Sequence, residues 1–402
     1  MEPTALQQHG EELGAASVAE YRGAATVARF GDPQSEFGAL RTGCAVYDLG
    51  YRAKVSVTGK DRVRWLNGMV TNNIRDLPAG LGVYAFLLNP QGHILGDLYA
   101  YNQGESITID TDSAQLAKIM ATFEHYIIMD DVELTRLGSP GEGVQGSTSF
   151  GDSMNLSKST DRRAASSSFA REITALGIGG PKAREVMQKA GMEIPDLRPL
   201  QLHEGECDCE CGSVNCTVLR TDEASESYEI WLAPERVRLL WNALVAAGAS
   251  PMGFEALELH RILSGIPQYG VDIRERDLPQ ETEQARALNF SKGCYIGQEI
   301  VERIRSRGAV HRKFSGFLAE GAATIAEGSK IVAGEKEVGE VTSVARFWPA
   351  SGDKTVALGY IRREITPGRE VLIGGVRAQV IQLPAADDVL AQDQNPPARH
   401  SA

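Results

Sequence analysis

The chain lacks any run of about 18 consecutive apolar residues, so no membrane-spanning helix is expected. Its first residues carry neither a basic segment nor an apolar stretch, which argues against a secretory signal. Cysteine is sparse, with six in 402 residues, and its spacing is uneven. Cys44 and Cys294 stand alone, whereas Cys207, Cys209, Cys211 and Cys216 crowd together. No disulfide framework follows from that pattern, and a reducing, cytoplasmic setting is expected. Positive charge is in deficit: 41 Lys and Arg face 53 Asp and Glu, for a net charge of -12. Bulk electrostatic attraction to nucleic acid is thereby excluded. No internal repeat is present. The G-x-x-x-x-G-K-[ST] spacing is also missing, so the segment from Gly177 to Lys182 reads as a strand-to-helix turn.

Hydrophobic residues make up 42% of the chain and charged residues 23%, an ordinary globular balance. The length suits two to three domains of about 150 residues. Residues before about Glu20 are polar and rich in Ala and Gly, which suggests a loose start or a short helix. Lys54 to Gly59 alternates like a half-buried strand. Asp61 to Val70 has helical spacing, with Val63, Leu66 and Val70 on one face. Tyr84 to Leu88 is strand-like and runs into an Asn89-Pro90-Gln91-Gly92 turn. Strands are expected over Ile94 to Tyr101 and Ser106 to Asp110, then a helix over Ser113 to Phe123.

Gly138 to Ser168 is Gly/Ser-rich and reads as a flexible loop. Ile173 to Gly177 follows as a strand, and Gly180-Pro181 opens a helix through Ala190. Tyr228 to Leu232 is a strand, and Pro234 to Ala247 and Phe254 to Leu263 are helices. Beyond Phe314, short strands separated by glycines point to a small all-β barrel. The tail from Ala385 is polar, and disorder is expected there.

Four groups of residues carry candidate chemistry. Cys294 precedes a helical pattern with Ile296, Ile300, Val301 and Ile304 on its apolar side. A helix N-terminus and Lys292 nearby both favour a thiolate, and Gly293 and Gly297 allow a sharp turn. An inert buried cysteine is the alternative. Glu229 lies on a strand, where a solvent-facing carboxylate is the ordinary expectation. Cys207, Cys209 and Cys211 share a strand face, with Cys216 nearby. Four thiols suit zinc or an iron–sulfur cluster, but the spacing lacks paired C-x-x-C knuckles, so no metal site is assigned. Arg303, Arg305, Arg307, Arg312 and Lys313 form a basic patch, readable as an anion or partner site or as a solvated helix end.

The string Lys292-Gly293-Cys294-Tyr295-Ile296-Gly297-Gln298-Glu299 resembles the K-G-C-Y-x-G-Q-E signature of YgfZ-type folate-binding proteins. Ile266 to Asp272 and Leu278 to Glu281 agree in spacing. The wider resemblance is to the glycine cleavage T-protein, from Gly43 to about Leu383, through Val46 to Leu49, Val57 to Asp61, Thr71 to Asn73 and Leu88 to Gly92. It implies an α+β fold of two sheet-plus-helix domains with a C-terminal small β-barrel. The expected bounds are 20–137 joined by about 250–311, a loop at 138–168, 169–249, the barrel at 312–384 and a tail at 385–402.

The resemblance implies tetrahydrofolate or a one-carbon derivative as cofactor, with Glu229 holding the pterin. It also places Asn72, Tyr295, Gln298 and Arg261 among the folate contacts. The basic patch would then suit a folate polyglutamate tail. Cys294, Lys292 and Asp97 are the expected reactive residues. Three departures stand out. The family's aspartate pair is reduced to Gly96-Asp97, its glycine-rich approach to the Glu is replaced by Arg220 to Ser227, and an expected Arg falls on Leu257. These point towards an accessory protein for iron–sulfur enzymes, with iron–sulfur clients, assembly factors or tRNA thiolation as partners. Aminomethyl transfer and an RNA-binding role are the alternatives.

Overall fold

The computed structural model describes residues 2–138, 172–209, 212–221, 226–308, 310–321, 324–347 and 352–385. Two sheets and a barrel organise it. The first sheet has five antiparallel strands in the order Gly82–Leu88, Ile94–Asn102, Ile107–Asp112, Arg52–Thr58, Glu133–Leu137. The second has six, in the order Leu202–Cys209, Gly212–Arg220, Ser227–Leu232, Thr174–Gly179, Ala45–Asp48, Ser250–Met252. Only its last pair is parallel. Ala45–Asp48 therefore shares a sheet with strands from beyond residue 172, and the expected boundary at 137 does not separate the sheets.

Each strand of the first sheet is two-faced, as its period of two dictates. Ala53, Val55, Val57, Leu98, Ala100, Ile107 and Ile109 form one apolar core with helices Arg62–Met69 and Ser113–His125. The opposite face carries Arg52, Lys54, Tyr99, Tyr101, Asp110 and Asp112 and turns towards the second sheet. The second sheet buries its other side, through Val46, Ile178, Ile230 and Val218, against helix Val237–Ala246. Six strands from Arg312 to Ile381 close the barrel around Phe317, Val341, Ala357 and Ile373.

Most expected elements are present within a residue or two. The start of the chain is ordered, and of the two expectations for it the short helix is present, as a 3-10 turn at Gln7–His9. Leu6 is fully buried, Thr4 hydrogen-bonds Asp48, and Ser17–Tyr21 pairs with Ala24–Arg29. The helix after Gly180 begins at Ala183, so Pro181 lies before it. Ala385 is buried and donates to Leu263 O at 2.8 Å, so the docked chain runs one residue into the expected tail. Nearly all of the expected loop at 138–168, and the tail beyond Ala385, lie outside the described residues.

Candidate functional site between the two sheets

The polar face of the first sheet and the Ser227–Leu232 strand of the second meet in one buried constellation. Glu229, expected on a solvent face by strand statistics, is only 5% exposed. Its Oε1 accepts from Lys54 Nζ at 2.8 Å and from Trp231 Nε1 at 2.6 Å. Lys54 also donates to Asp110 Oδ1 at 3.0 Å. Arg52 grips both oxygens of Asp110 at 2.9–3.1 Å and reaches Asp112 at 2.8 Å. Burial would raise Asp110, but Arg52 and Lys54 outweigh it and hold its carboxyl below the ordinary range. A cavity of about 640 Å³ flanks this charged face at Arg52, with Ser113, Arg136 and Thr174 in its lining.

An aromatic wall runs beside the charges. Ring centres lie 5.0 Å apart for Tyr84 and Tyr99, 6.2 Å for Tyr99 and Tyr101, and 5.3 Å for Tyr101 and Trp231. Trp231 ends the wall at Glu229. Tyr84 ends it at Asp97, donating to Oδ2 at 2.7 Å. Gln115 Nε2 donates to the other Asp97 oxygen at 2.7 Å. Burial first, and then the like charge of Asp112, raise the Asp97 pKa above the usual carboxylate range.

The neighbour of Asp97 corrects one inference from sequence. A side chain at Gly96 would meet Ile119 and Gln115 of the underlying helix, at 3.1–3.3 Å. Position 96 therefore faces the helix layer, and the acid on the opposite, tyrosine-bearing face is the one this chain keeps. A carboxylate at position 96 would point into the helix layer and away from Tyr84.

The Cys294 motif forms a separate corner. Helix Gln298–Arg307 follows it as expected, and Gly297 takes φ +80° with Asn89 O closely apposed. Cys294 is exposed, against the buried alternative. The Lys292 ammonium is bonded to backbone carbonyls. The residue is 6% exposed and donates to those of Asn67, Val70 and Asn72. Three acceptors use all three ammonium protons. Burial and the Arg75 charge press its pKa down to about 7, while the three carbonyls require the protonated form. Lys292 thus clamps the motif to the end of helix Arg62–Met69.

Most of the other expected site residues are committed elsewhere. Asn72 donates to the carbonyls of Tyr84 and Arg286, each at 2.8 Å, and so fixes the strand bearing Tyr84. Tyr295 is buried in the core cluster that holds Tyr84, Phe86 and Leu88. Gln298 opens the helix with its backbone N–H donating to Tyr295 O at 3.2 Å, a bond that does not engage its side chain. Arg261 is buried and bonded to Glu258, Asp272, Ile266 O and Ser343, which engages four of its five N–H donors, so it joins helix and barrel. Arg312 leaves the basic patch, turning inward to Asp277 at 2.7 Å and Glu281 at 2.9 Å.

Cys207 and Cys216, on the paired strands Leu202–Cys209 and Gly212–Arg220, are buried in the second sheet's core. The side chain of Cys209, and Cys211, lie outside the described residues. No group of metal-ligating side chains is assembled among the described residues. Nor is any described helix long and apolar enough to cross a membrane.

A family model described as GCVT N-terminal domain matches residues 10–292. The chain belongs to this family, that of the glycine cleavage T-protein. It is 27% identical over 387 residues to an aminomethyltransferase of Rubrobacter xylanophilus, covering 95% of this chain and 93% of that one. An aminomethyltransferase of Nostoc sp. is 27% identical over 367 residues, covering 89% and 87%. Glycine cleavage system aminomethyltransferase T from Bartonella henselae superposes with a TM-score of 0.76 at 19% identity, over 96% of this chain and 98% of that one. The expected T-protein fold with its C-terminal barrel is thus present. Sequence reasoning missed Arg52, Lys54, Asp110, Asp112 and the tyrosine wall. The available signal was charge and tyrosine at alternate positions on adjacent strands.

Proposed function

We propose that this chain is a tetrahydrofolate-dependent one-carbon transferase of the aminomethyltransferase type. The observation that carries the reading is the placement of Asp97 and Glu229 at opposite ends of one aromatic wall. GcvT-type aminomethyltransferases use tetrahydrofolate as their one-carbon carrier. The residues here fit its pterin head. Both bonds to Glu229 end on Oε1, leaving Oε2 to accept from an amino or ring N–H. The packed rings keep water from that interaction, which strengthens it. When bound, tetrahydrofolate supplies the nitrogen atoms that accept the one-carbon unit.

Asp97 is the acid–base residue of this reading. Its raised pKa keeps a proton on the carboxyl to higher pH than an ordinary aspartate. Tyr84 and Gln115 fix both oxygens, so proton exchange occurs at a set position.

Formation of methylenetetrahydrofolate from an aminomethyl-lipoyl donor tests the proposal. Asp97→Asn is expected to lower kcat by about 100-fold or more while leaving tetrahydrofolate affinity within about threefold. No product from a competent donor would sink the transferase reading.

One feature favours a second reading. The Cys294 thiol is exposed within the K-G-C-Y-x-G-Q-E string. On that reading the chain is a YgfZ-type accessory protein that binds tetrahydrofolate and sustains iron–sulfur enzymes, with those enzymes, assembly factors or tRNA-thiolation proteins as partners. Cys294→Ala separates the two. The transferase reading expects unchanged turnover, and the accessory reading expects lost iron–sulfur enzyme activity in a deletion strain.

A further inference from the structure

Lys54 has no exposed surface, yet it brings an ammonium into the space between the sheets. Its Nζ lies 2.8 Å from Glu229 Oε1, 3.0 Å from Asp110 Oδ1 and 5.2 Å from the centre of the Trp231 ring. Trp231 Nε1 donates to the same Glu229 oxygen at 2.6 Å. Two donors converging on Oε1 fix the carboxylate torsion and leave Oε2 as the oxygen presented to a ligand.

The two acids depend on Lys54 unequally. Asp110 has a second cation, the Arg52 guanidinium, bound to both its oxygens. Among the described residues, Lys54 is the cation paired with Glu229. Removing the lysine therefore leaves Asp110 balanced and takes from buried Glu229 its ion-paired cation, with Arg52 acting on it only at longer range. A buried charge in that condition adopts another rotamer or takes up a proton.

The structure assigns to Lys54 the role of positioning residue for Glu229. It sets the direction and the charge of the carboxylate that takes the N–H edge of a flat heterocycle such as a pterin. The assignment rests on the reading of Glu229 as the pterin-holding acid. It extends that reading to the neighbouring sheet, because specificity for the heterocycle edge is then shared between Lys54 of the first sheet and Glu229 of the second.

The test is a double-mutant cycle on the full chain. Tetrahydrofolate dissociation constants and thermal midpoints are measured for wild type, Lys54→Met, Glu229→Gln and the double variant. Each single change is expected to weaken binding by about 10- to 100-fold, the range for hydrogen bonds to charged groups. The double variant is expected to bind no more weakly than the weaker single variant, because both changes remove one oriented charge. Its thermal midpoint is expected to lie nearer wild type than that of Lys54→Met, since the unpaired acid is gone. Should the methionine variant not fold, Lys54→Gln takes its place in the cycle, with the same non-additivity expected. Additive losses, or unchanged affinity in the Lys54 variant, overturn the assignment while the function stands. A wild-type chain that binds no tetrahydrofolate overturns both together.

Discussion

At the scale of single residues, burial decides what each ionisable group can do. Asp48 is 4% exposed and bonded to Thr4 and to Gly50 N–H, the latter at 2.8 Å. Burial raises its pKa to about 6, beyond what those hydrogen bonds offset. A carboxyl with a raised folded pKa binds its proton more tightly in the native state. Its contribution is therefore fully present below about pH 3.9 and is lost as pH rises through about 6. Asp48→Asn removes the charge; its Oδ1 keeps the bond from Gly50 N–H, and the Thr4 bond reverses, with Nδ2 donating to the hydroxyl. Chemical denaturation is expected to show the variant gaining up to about 3 kcal/mol over wild type at pH 7.5, with little gain at pH 4. An equal gain at both pH values would mean that the charge of Asp48 is not what costs stability. None of this was legible in Val46-Tyr47-Asp48-Leu49, because an acid ending a strand is usually solvated.

At the scale of elements, local chemistry was a good guide. The helices Arg62–Met69 and Phe254–Leu263 and the Asn89–Gly92 turn follow spacing and turn residues alone. The helix after Gly297 followed too, because glycine suits the left-handed turn that starts it. A Cβ at Gly297 would stand 2.6 Å from Asn89 O, a backbone atom, in addition to the strain of φ +80°. Gly297→Ala is expected to cost about 1–3 kcal/mol, read as a lowered denaturation midpoint with an unchanged denaturant slope. A neutral result would mean that the turn relaxes freely and does not fix Cys294. What the elements did not reveal was which way their polar faces point. Lys54 to Gly59 forms the expected strand, but Lys54 on its polar face turns inward to the second sheet rather than outward to water.

At the scale of the whole molecule, those inward charges link into one ladder. It runs from Glu229 through Lys54, Asp110, Arg52, Asp112, Arg22, Glu258 and Arg261 to Asp272, where Thr342 and Ser343 of the barrel are bonded. Both sheets, the N-terminal hairpin, helix Phe254–Leu263 and the barrel each contribute. Such pairs cost desolvation and hold only when every partner is in place. Arg261→Leu is expected to destabilise the protein by about 3–5 kcal/mol, because it takes the paired cation from buried Asp272 and leaves Glu258 with Arg22 alone. A loss below about 1 kcal/mol in equilibrium denaturation would show that the two acids find other partners or protons.

Taken by itself, the sequence determined the element order, the C-terminal barrel, the family resemblance and the position of Cys294 before a helix. Those follow from period, turn chemistry and motif, which are local. Only the tertiary structure decided that Lys292 is a clamp, that Arg261 and Arg312 are ion-paired struts, and that Asp97 and Glu229 share a wall. Each of those depends on contacts between residues far apart in the chain, such as Lys54 with Glu229. Burial and pairing there reverse what exposure would have made of the same side chains.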